Sequence, residues 1–344
     1  MKKISIKWLV VAALGILVFF FLPLPYFIEM PGTAEDLRDH VTVNGKSDDY
    51  KGSFMLTTVA VQQGTPFNLL TSYFNPSREI VSKKEMMGSS SSEEYNQMQS
   101  YYMESSQNFA SKVALDLTDK PYDINYKGVY VMSINEESDF KGKLTIGSTI
   151  THIEGKPITS SEELIKTVQN KKPGDTVTLT VEEDKETKEV SGKLVELKET
   201  KKTGIGISLV DHTSLESKDK IEFQTKDIGG PSAGLMFTLE LYSLLAQKDI
   251  RHGLEIAGTG TINSKGEVGR IGGIDKKVIA AEYSGADVFF APNDDNSPEL
   301  KKKYPDIKTN YEEAVESAKK NKLKITIVPV KTAQDAVDYL EKRK

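Results

Sequence analysis

The sequence predicts an α+β protein in three parts: an N-terminal apolar helix, a β-rich module and a C-terminal α/β domain. Three observations carry this. Residues 8–28 form an uncharged apolar run. Residues 126–184 are short β-branched runs broken by turns. From about residue 205 onward, strand and helix patterns alternate. A chain of 344 residues has room for two or three cores, and no internal repeat is visible.

At the N-terminus, Lys2, Lys3 and Lys7 precede "WLVVAALGILVFFFLPLPYFI". Twenty-one residues at about 1.5 Å each span about 31 Å, the thickness of a bilayer's hydrocarbon core. The run ends in Pro23, Pro25, Tyr26 and Phe27 rather than in the small residues of a signal-peptide cleavage site. Residues 1–30 are therefore expected to be a cytoplasmic stub and an uncleaved, single-pass membrane anchor. The lysines hold the N-terminus in the cytoplasm and leave the rest of the chain outside the cell.

Residues 31–120 form a second region. "GSFMLTTVAV" (52–61) reads as a strand, and Tyr95, Met98, Tyr102, Phe109 and Val113 make one stripe of an amphipathic helix. The strand has no partner nearby in sequence. This region is expected to pack on the C-terminal domain, with the β-rich module inserted between them.

Composition narrows the function. The net charge is −5 with both signs interspersed, so no basic face for nucleic acid is present. The absence of cysteine removes disulfides, thiol nucleophiles and thiolate metal sites. No metal-ligand pattern, cofactor fingerprint or phosphate-binding loop occurs, so neither a cofactor nor an ATPase is expected.

The β-rich module, "YKGVYVMSINEESDFKGKLTIGSTITHIEGKPITSSEELIKTVQNKKPGDTVTLTVEED", carries turns at Gly147, Gly155 and Pro173-Gly174 and one helix opened by the capping pattern Ser160 to Glu163. It resembles a bacterial-type PDZ domain, here bounded at 121–200. "IGSTITHIEGKPI" is similar to that family's "GDxIxxIxGxxI" signature, with Ser148 in place of the aspartate. The resemblance places Gly128, Val129, Tyr130 and Val131 ("GVYV") at the carboxylate-binding loop. It implies a sheet edge that takes a peptide as an added strand. "KLVELKETKKTG" (193–204) reads as the exit from the module.

The chemistry gathers at "DIGGPSAGL", where Ser232 follows Gly229, Gly230 and Pro231 and opens a helix over 232–246. A nucleophilic serine needs a base, and no histidine lies within ten residues. A triad of His212, Asp227 and Ser232 is one reading, but His212 lies in a polar stretch that reads as a loop and Asp227 is only five residues before the serine. A lysine serves instead if burial keeps it neutral. In "GRIGGIDKKVIAAEYSGADVFFAP" a helix from about Asp275 to Ser284 carries two lysines. Lys277 lies beside the apolar face of Ile274, Val278 and Ala281, whereas Lys276 is expected to face solvent.

"DIGGPSAGL", "AGTGTINSKGEVGRIGGIDKKVIAA" and "VFFAPNDDN" together resemble the proteolytic domain of the Lon proteases, over 201–344. The resemblance implies that Ser232 is the nucleophile and Lys277 the general base. It also implies that Thr259 bonds the lysine and that Gly230 and Asp227 support the turn. Asp227 stands one residue further from the serine than in the "KDGPSAG" form. The order of parts resembles the membrane-anchored, PDZ-containing Lon-like peptidases of Gram-positive bacteria. What that implies is an ATP-independent endopeptidase acting outside the cell on peptides or unfolded proteins, with no nucleic-acid partner; ring-forming relatives leave a homo-oligomer open. Two alternatives are a signal-peptidase-like Ser–Lys enzyme, whose serine would follow the anchor closely, and a non-catalytic PDZ scaffold or holdase.

Overall fold

The computed structural model describes residues 6–88, 90–183, 186–198, 200–225, 228–294, 301–302 and 304–343. The fold is mixed α+β.

The first helix, α1 (Ile6–Phe21), is 16 residues and about 24 Å long, apolar apart from Lys7, and its described side chains are exposed. It is shorter than the sequence run suggests. Pro23 and Pro25 cannot continue a helix, and Tyr26, Phe27 and Ile28 instead open strand β1 (Tyr26–Asp36), where Ile28 is fully buried. Among the described residues no helix is long and apolar enough to cross a membrane.

The remaining elements of the N-terminal region are β2 (Val41–Val43), β3 (Ser53–Gln63), α2 (Pro66–Tyr73), β4 (Glu79–Ser82), α3 (Lys83–Met87) and α4 (Ser92–Leu117). Ser91 caps α4 with Glu94 in a reciprocal capping box, as its serine-then-glutamate start predicts.

The module follows as β5 (Tyr122–Ile134), β6 (Thr149–Ile153), β7 (Lys156–Pro157), α5 (Ser161–Gln169), β8 (Thr176–Glu183), β9 (Glu186–Lys193), β10 (Val195–Glu196), β11 (Thr203–Gly204) and β12 (Ile207–Ser217). Its sheet runs β12-β5-β6-β8-β9 around a core of Val129, Ile150, Leu164, Val177, Leu179 and neighbours. The lysine-rich segment 193–204 is not the exit from this module. The chain returns through β12, which pairs antiparallel with β5 along its whole length, from Ile207↔Ile134 to Ser217↔Tyr122. His212 is thus on a strand, not a loop.

The C-terminal part comprises β13 (Ile221–Phe223), α6 (Gly234–Ala246), β14 (Glu255–Gly258), β15 (Thr261–Ile262), β16 (Val268–Gly269), α7 (Ile274–Tyr283), β17 (Val288–Pro292), α8 (Asn310–Asn321), β18 (Thr326–Val330) and α9 (Ala333–Glu341). Its strands complete a sheet ordered β18-β17-β14-β3-β1-β4. In this sheet β3 joins the two halves, parallel to β14 on one side and antiparallel to β1 on the other. One core unites both halves, with Phe54 and Leu56 of β3 and Met103, Ala110 and Val113 of α4 against Leu235, Phe237 and Leu239 of α6. The module enters after α4 and leaves at β13, so it is an insertion in the sequence of one larger domain.

Candidate active site

Ser232 lies two residues before α6, on a turn that α4 holds. Gly230 sits at φ 87°, a left-handed conformation open to glycine, and its N–H donates to the Gln99 carbonyl at 3.0 Å. The buried Ser106 hydroxyl donates to the Pro231 carbonyl at 3.1 Å. From the other side the Gly260 N–H and the Thr259 hydroxyl both donate to the Ser232 carbonyl, at 2.8 and 3.0 Å. Asp227, proposed to shape this turn, lies outside the described residues.

Helix α7 brings Lys277 to the serine. Gly273 caps its start in a left-handed conformation, which turns the chain sharply into the helix. Lys277 Nζ lies 2.8 Å from Ser232 Oγ, 2.8 Å from the Thr57 carbonyl on β3 and 3.1 Å from Thr259 Oγ1. Burial alone lowers its pKa from 10.5 to about 7, with no carboxylate contributing. Neutral lysine has two N–H groups and one lone pair. The Thr57 carbonyl can only accept, and the Thr259 hydroxyl has spent its proton on the Ser232 carbonyl, so both N–H groups are used there. The lone pair is left for the Ser232 hydroxyl proton, the arrangement a general base requires.

Lys276 corrects the sequence expectation. It is as buried as its neighbour, at 3 % exposure, and does not face solvent. Burial pulls its pKa down, but hydrogen bonding and charge from Glu79 at 2.6 Å, Asp275 at 3.4 Å and Glu29 at 3.8 Å outweigh it, and the net shift is upward. Adjacent lysines on one helix are thus shifted in opposite directions: Lys276 is held charged, and Lys277 is able to act as base.

The dyad opens onto a cleft of about 1040 Å³ whose apolar wall includes Leu56, Met103, Ile228 and Ala233. Among the described residues, the N–H groups of Ser232 and Ala233 have no acceptor, and they sit at the positive end of the α6 dipole. That is a place where a developing oxyanion would be stabilised. The triad reading fails on position: the His212 ring engages Thr149 Oγ1 at 2.7 Å and Glu104 at 3.3 Å, on the module side of α4. Among the described residues no cluster of metal-ligating side chains occurs.

The structure does not leave the expected peptide loop of the module at a sheet edge. Gly128, Val129, Tyr130 and Val131 lie on β5, between β6 and β12, and Val129 and Val131 are fully buried. A strand paired on both sides cannot receive a peptide. The terminal strands of the sheet are β12 and β9; β12 is preceded by Gly204-Ile205-Gly206, with Gly206 at φ 79°, and α5 packs beside it.

Comparison with known proteins finds relatives of both parts. Residues 98–194 match the PDZ domain family, and residues 224–329 match the Lon protease (S16) C-terminal proteolytic domain. The C-terminal part is a Lon-type serine-peptidase domain. Its relatives include the Lon protease of Mesomycoplasma hyopneumoniae, 33 % identical over 113 residues, which are 33 % of this chain and 11 % of that protein. The Lon protease of Desulforamulus reducens is 38 % identical over 87 residues, 25 % of this chain and 10 % of that one. The chain thus spans about a tenth of the length of these Lon proteases. A crystal structure of the PDZ domain of an SdrC-like protein from Listeria monocytogenes is 35 % identical, covers 26 % of this chain and 93 % of its own, and has a TM-score of 0.25. The Lon-type match begins at Gln224, so Thr57, Gln99 and Ser106, which complete the site, lie outside it.

Proposed function

We propose that the chain is a membrane-anchored, ATP-independent serine endopeptidase that cleaves extended or unfolded polypeptides outside the cytoplasm. The observation that carries this is the 2.8 Å approach of Ser232 Oγ to a fully buried lysine whose remaining contacts leave its lone pair for the serine. Lys277 takes the hydroxyl proton as Oγ attacks the scissile carbonyl. It returns that proton to the amine as the C–N bond breaks, then activates the water that hydrolyses the acyl-enzyme. The dyad supplies every group these steps need, so bond cleavage calls for no nucleotide. Substrate reaches the cleft as an extended chain, and the edge of β12 is the place where it docks first, its free carboxylate at the Gly204–Gly206 turn. The apolar, exposed α1 after Lys7 supports membrane anchoring with the N-terminus in the cytoplasm.

The full chain, incubated with an unstructured peptide mixture, should release new N-termini. Ser232→Ala and Lys277→Met should release none. Cleavage by either variant at the parent's rate would refute the dyad. For docking, a peptide with a free C-terminus should show a lower KM than its amidated twin, and equal KM values would remove β12 from the pathway.

A further inference from the structure

The stretch from residue 52 to residue 77 holds no charged residue and no histidine, although it lies outside any apolar run long enough to attract notice in the sequence. Its first part is β3, buried from Ser53 to Thr57 and exposed from Ala60 to Gln63; the rest is α2 and the turn that follows. In α2, Phe67, Leu70 and Tyr73 fall three residues apart on one face and are exposed, as is Phe74 beside them; Tyr73 and Phe74 are 79 % and 75 % exposed. Ser72, on the opposite face, is buried against the domain. A helix that turns Ser72 inward, leaves Asn68 and Thr71 half-buried and points its aromatic residues outward is built for an apolar partner.

Two features name that partner. First, the exposed face is continuous with the last turn of α1. The Phe67 ring lies 5.9 Å from Phe19 and 4.7 Å from Phe20, so the aromatic cluster sits where the apolar helix meets the domain. Second, the Lys83 N–H donates to the Pro25 carbonyl at 3.0 Å, so the stretch that carries Arg78, Lys83 and Lys84, with Glu79 and Glu85 among them, runs beside the exit from α1, and aromatic side chains with basic ones nearby suit the boundary between acyl chains and anionic headgroups. We propose that α2 and Phe74 rest in this boundary of a lipid bilayer. They form a second, non-spanning contact that fixes how the peptidase domain stands on the membrane. This rests on reading α1 as the anchor.

The chain has one tryptophan, Trp8 in α1, and no cysteine, so each contact can be followed separately. Tyr73→Cys and, as a control, Ile165→Cys on α5 would be labelled with an environment-sensitive dye. The full chain would then be placed in phosphatidylcholine–phosphatidylglycerol vesicles and titrated with iodide, with Ser232-dependent peptide cleavage checking that each variant is folded. The expected result is that Trp8 and the residue-73 dye are both quenched at least about 3-fold less than the residue-165 dye. Protection of Trp8 with a residue-73 dye as accessible as the control would overturn the proposal and leave the anchor standing. Exposure of both would overturn both. Addition of Leu70→Asp and Phe74→Asp should restore quenching at residue 73 without changing cleavage of a soluble peptide, and continued protection there would count equally against the proposal.

Discussion

Lys277 Nζ and the Thr57 carbonyl, 220 residues apart in sequence, are joined by a 2.8 Å hydrogen bond inside the core. This bond decides which way the lysine presents its lone pair, so the proposed base of the C-terminal domain is oriented by a strand from the N-terminal region.

The pH dependence follows from the lowered Lys277 pKa. Only neutral lysine accepts the serine proton, so kcat/KM should rise about tenfold per pH unit below about 7 and level off above it. A flat profile between about pH 5 and 9 would show that another group is the base.

The same shift affects stability. Between about 7 and 10.5 the unfolded chain carries a proton on this lysine that the folded chain does not, so stability increases with pH through that window. Lys277→Met should abolish this rise. At pH 7 it should stabilise the fold by about 1–3 kcal/mol, the relief of burying an ionisable group less the lost bond to Thr57. Urea unfolding at pH 7 and 9 measures both.

Thr259 links the two halves of the dyad by accepting from Lys277 and donating to the Ser232 carbonyl. Thr259→Val should lower kcat by about 10- to 100-fold with little change in KM, because both bonds serve the reacting groups rather than substrate binding. Thr259→Ser should recover most of the loss. A Thr259→Ser variant as slow as Thr259→Val would mean that the hydroxyl alone does not suffice and that the methyl group is also needed to hold it in place.

Gly234 opens α6, where alanine would ordinarily stabilise a helix by about 1 kcal/mol. Here a Cβ would lie 2.7 Å from Ile262 Cγ2, 2.8 Å from Ser106 Oγ and 3.0 Å from the Ile262 backbone nitrogen. Gly234→Ala should instead destabilise by about 1–3 kcal/mol and displace Ser232. A rise in the unfolding midpoint would contradict the close approach of α4, α6 and β15.

Arg251 is fully buried, bound to Asp48 at 2.8 and 2.9 Å and to Glu240 at 2.5 Å, with its guanidinium 4.6 Å from the Phe54 ring. Arg251→Met strands two buried carboxylates and should cost about 3–5 kcal/mol. Adding Glu240→Gln should recover part of it, since burial already pushes Glu240 up to about 7 against the pull of Arg251. No recovery would place the cost in lost packing on Phe54.

Much of the site was legible because its chemistry is local. The glycines and proline before Ser232, and the apolar neighbours of Lys277, are visible within ten residues. What was not legible depends on distant partners. Two of the three carboxylates that charge Lys276, Glu29 and Glu79, come from β1 and β4, about 200–250 residues upstream, so no helical wheel of α7 could reveal them. Gly128–Val131 look like an edge until the register of β12 covers them, and that register is set by a strand about 80 residues on. Gln99 and Ser106 carry no motif at all; they matter only because α4 lies across the serine turn. The helix α1 is shorter than its apolar run because strand pairing at Tyr26 competes for the last residues.

The position of β3 between β1 and β14 also sets a schedule. Thr57 leaves the ribosome long before Lys277, and at roughly 5–20 residues per second the intervening 220 residues take about 11–44 s. Until they arrive, β3 has β1 beside it but not β14, and Ser232 has no lysine partner. The newborn chain therefore passes most of its synthesis without a complete dyad.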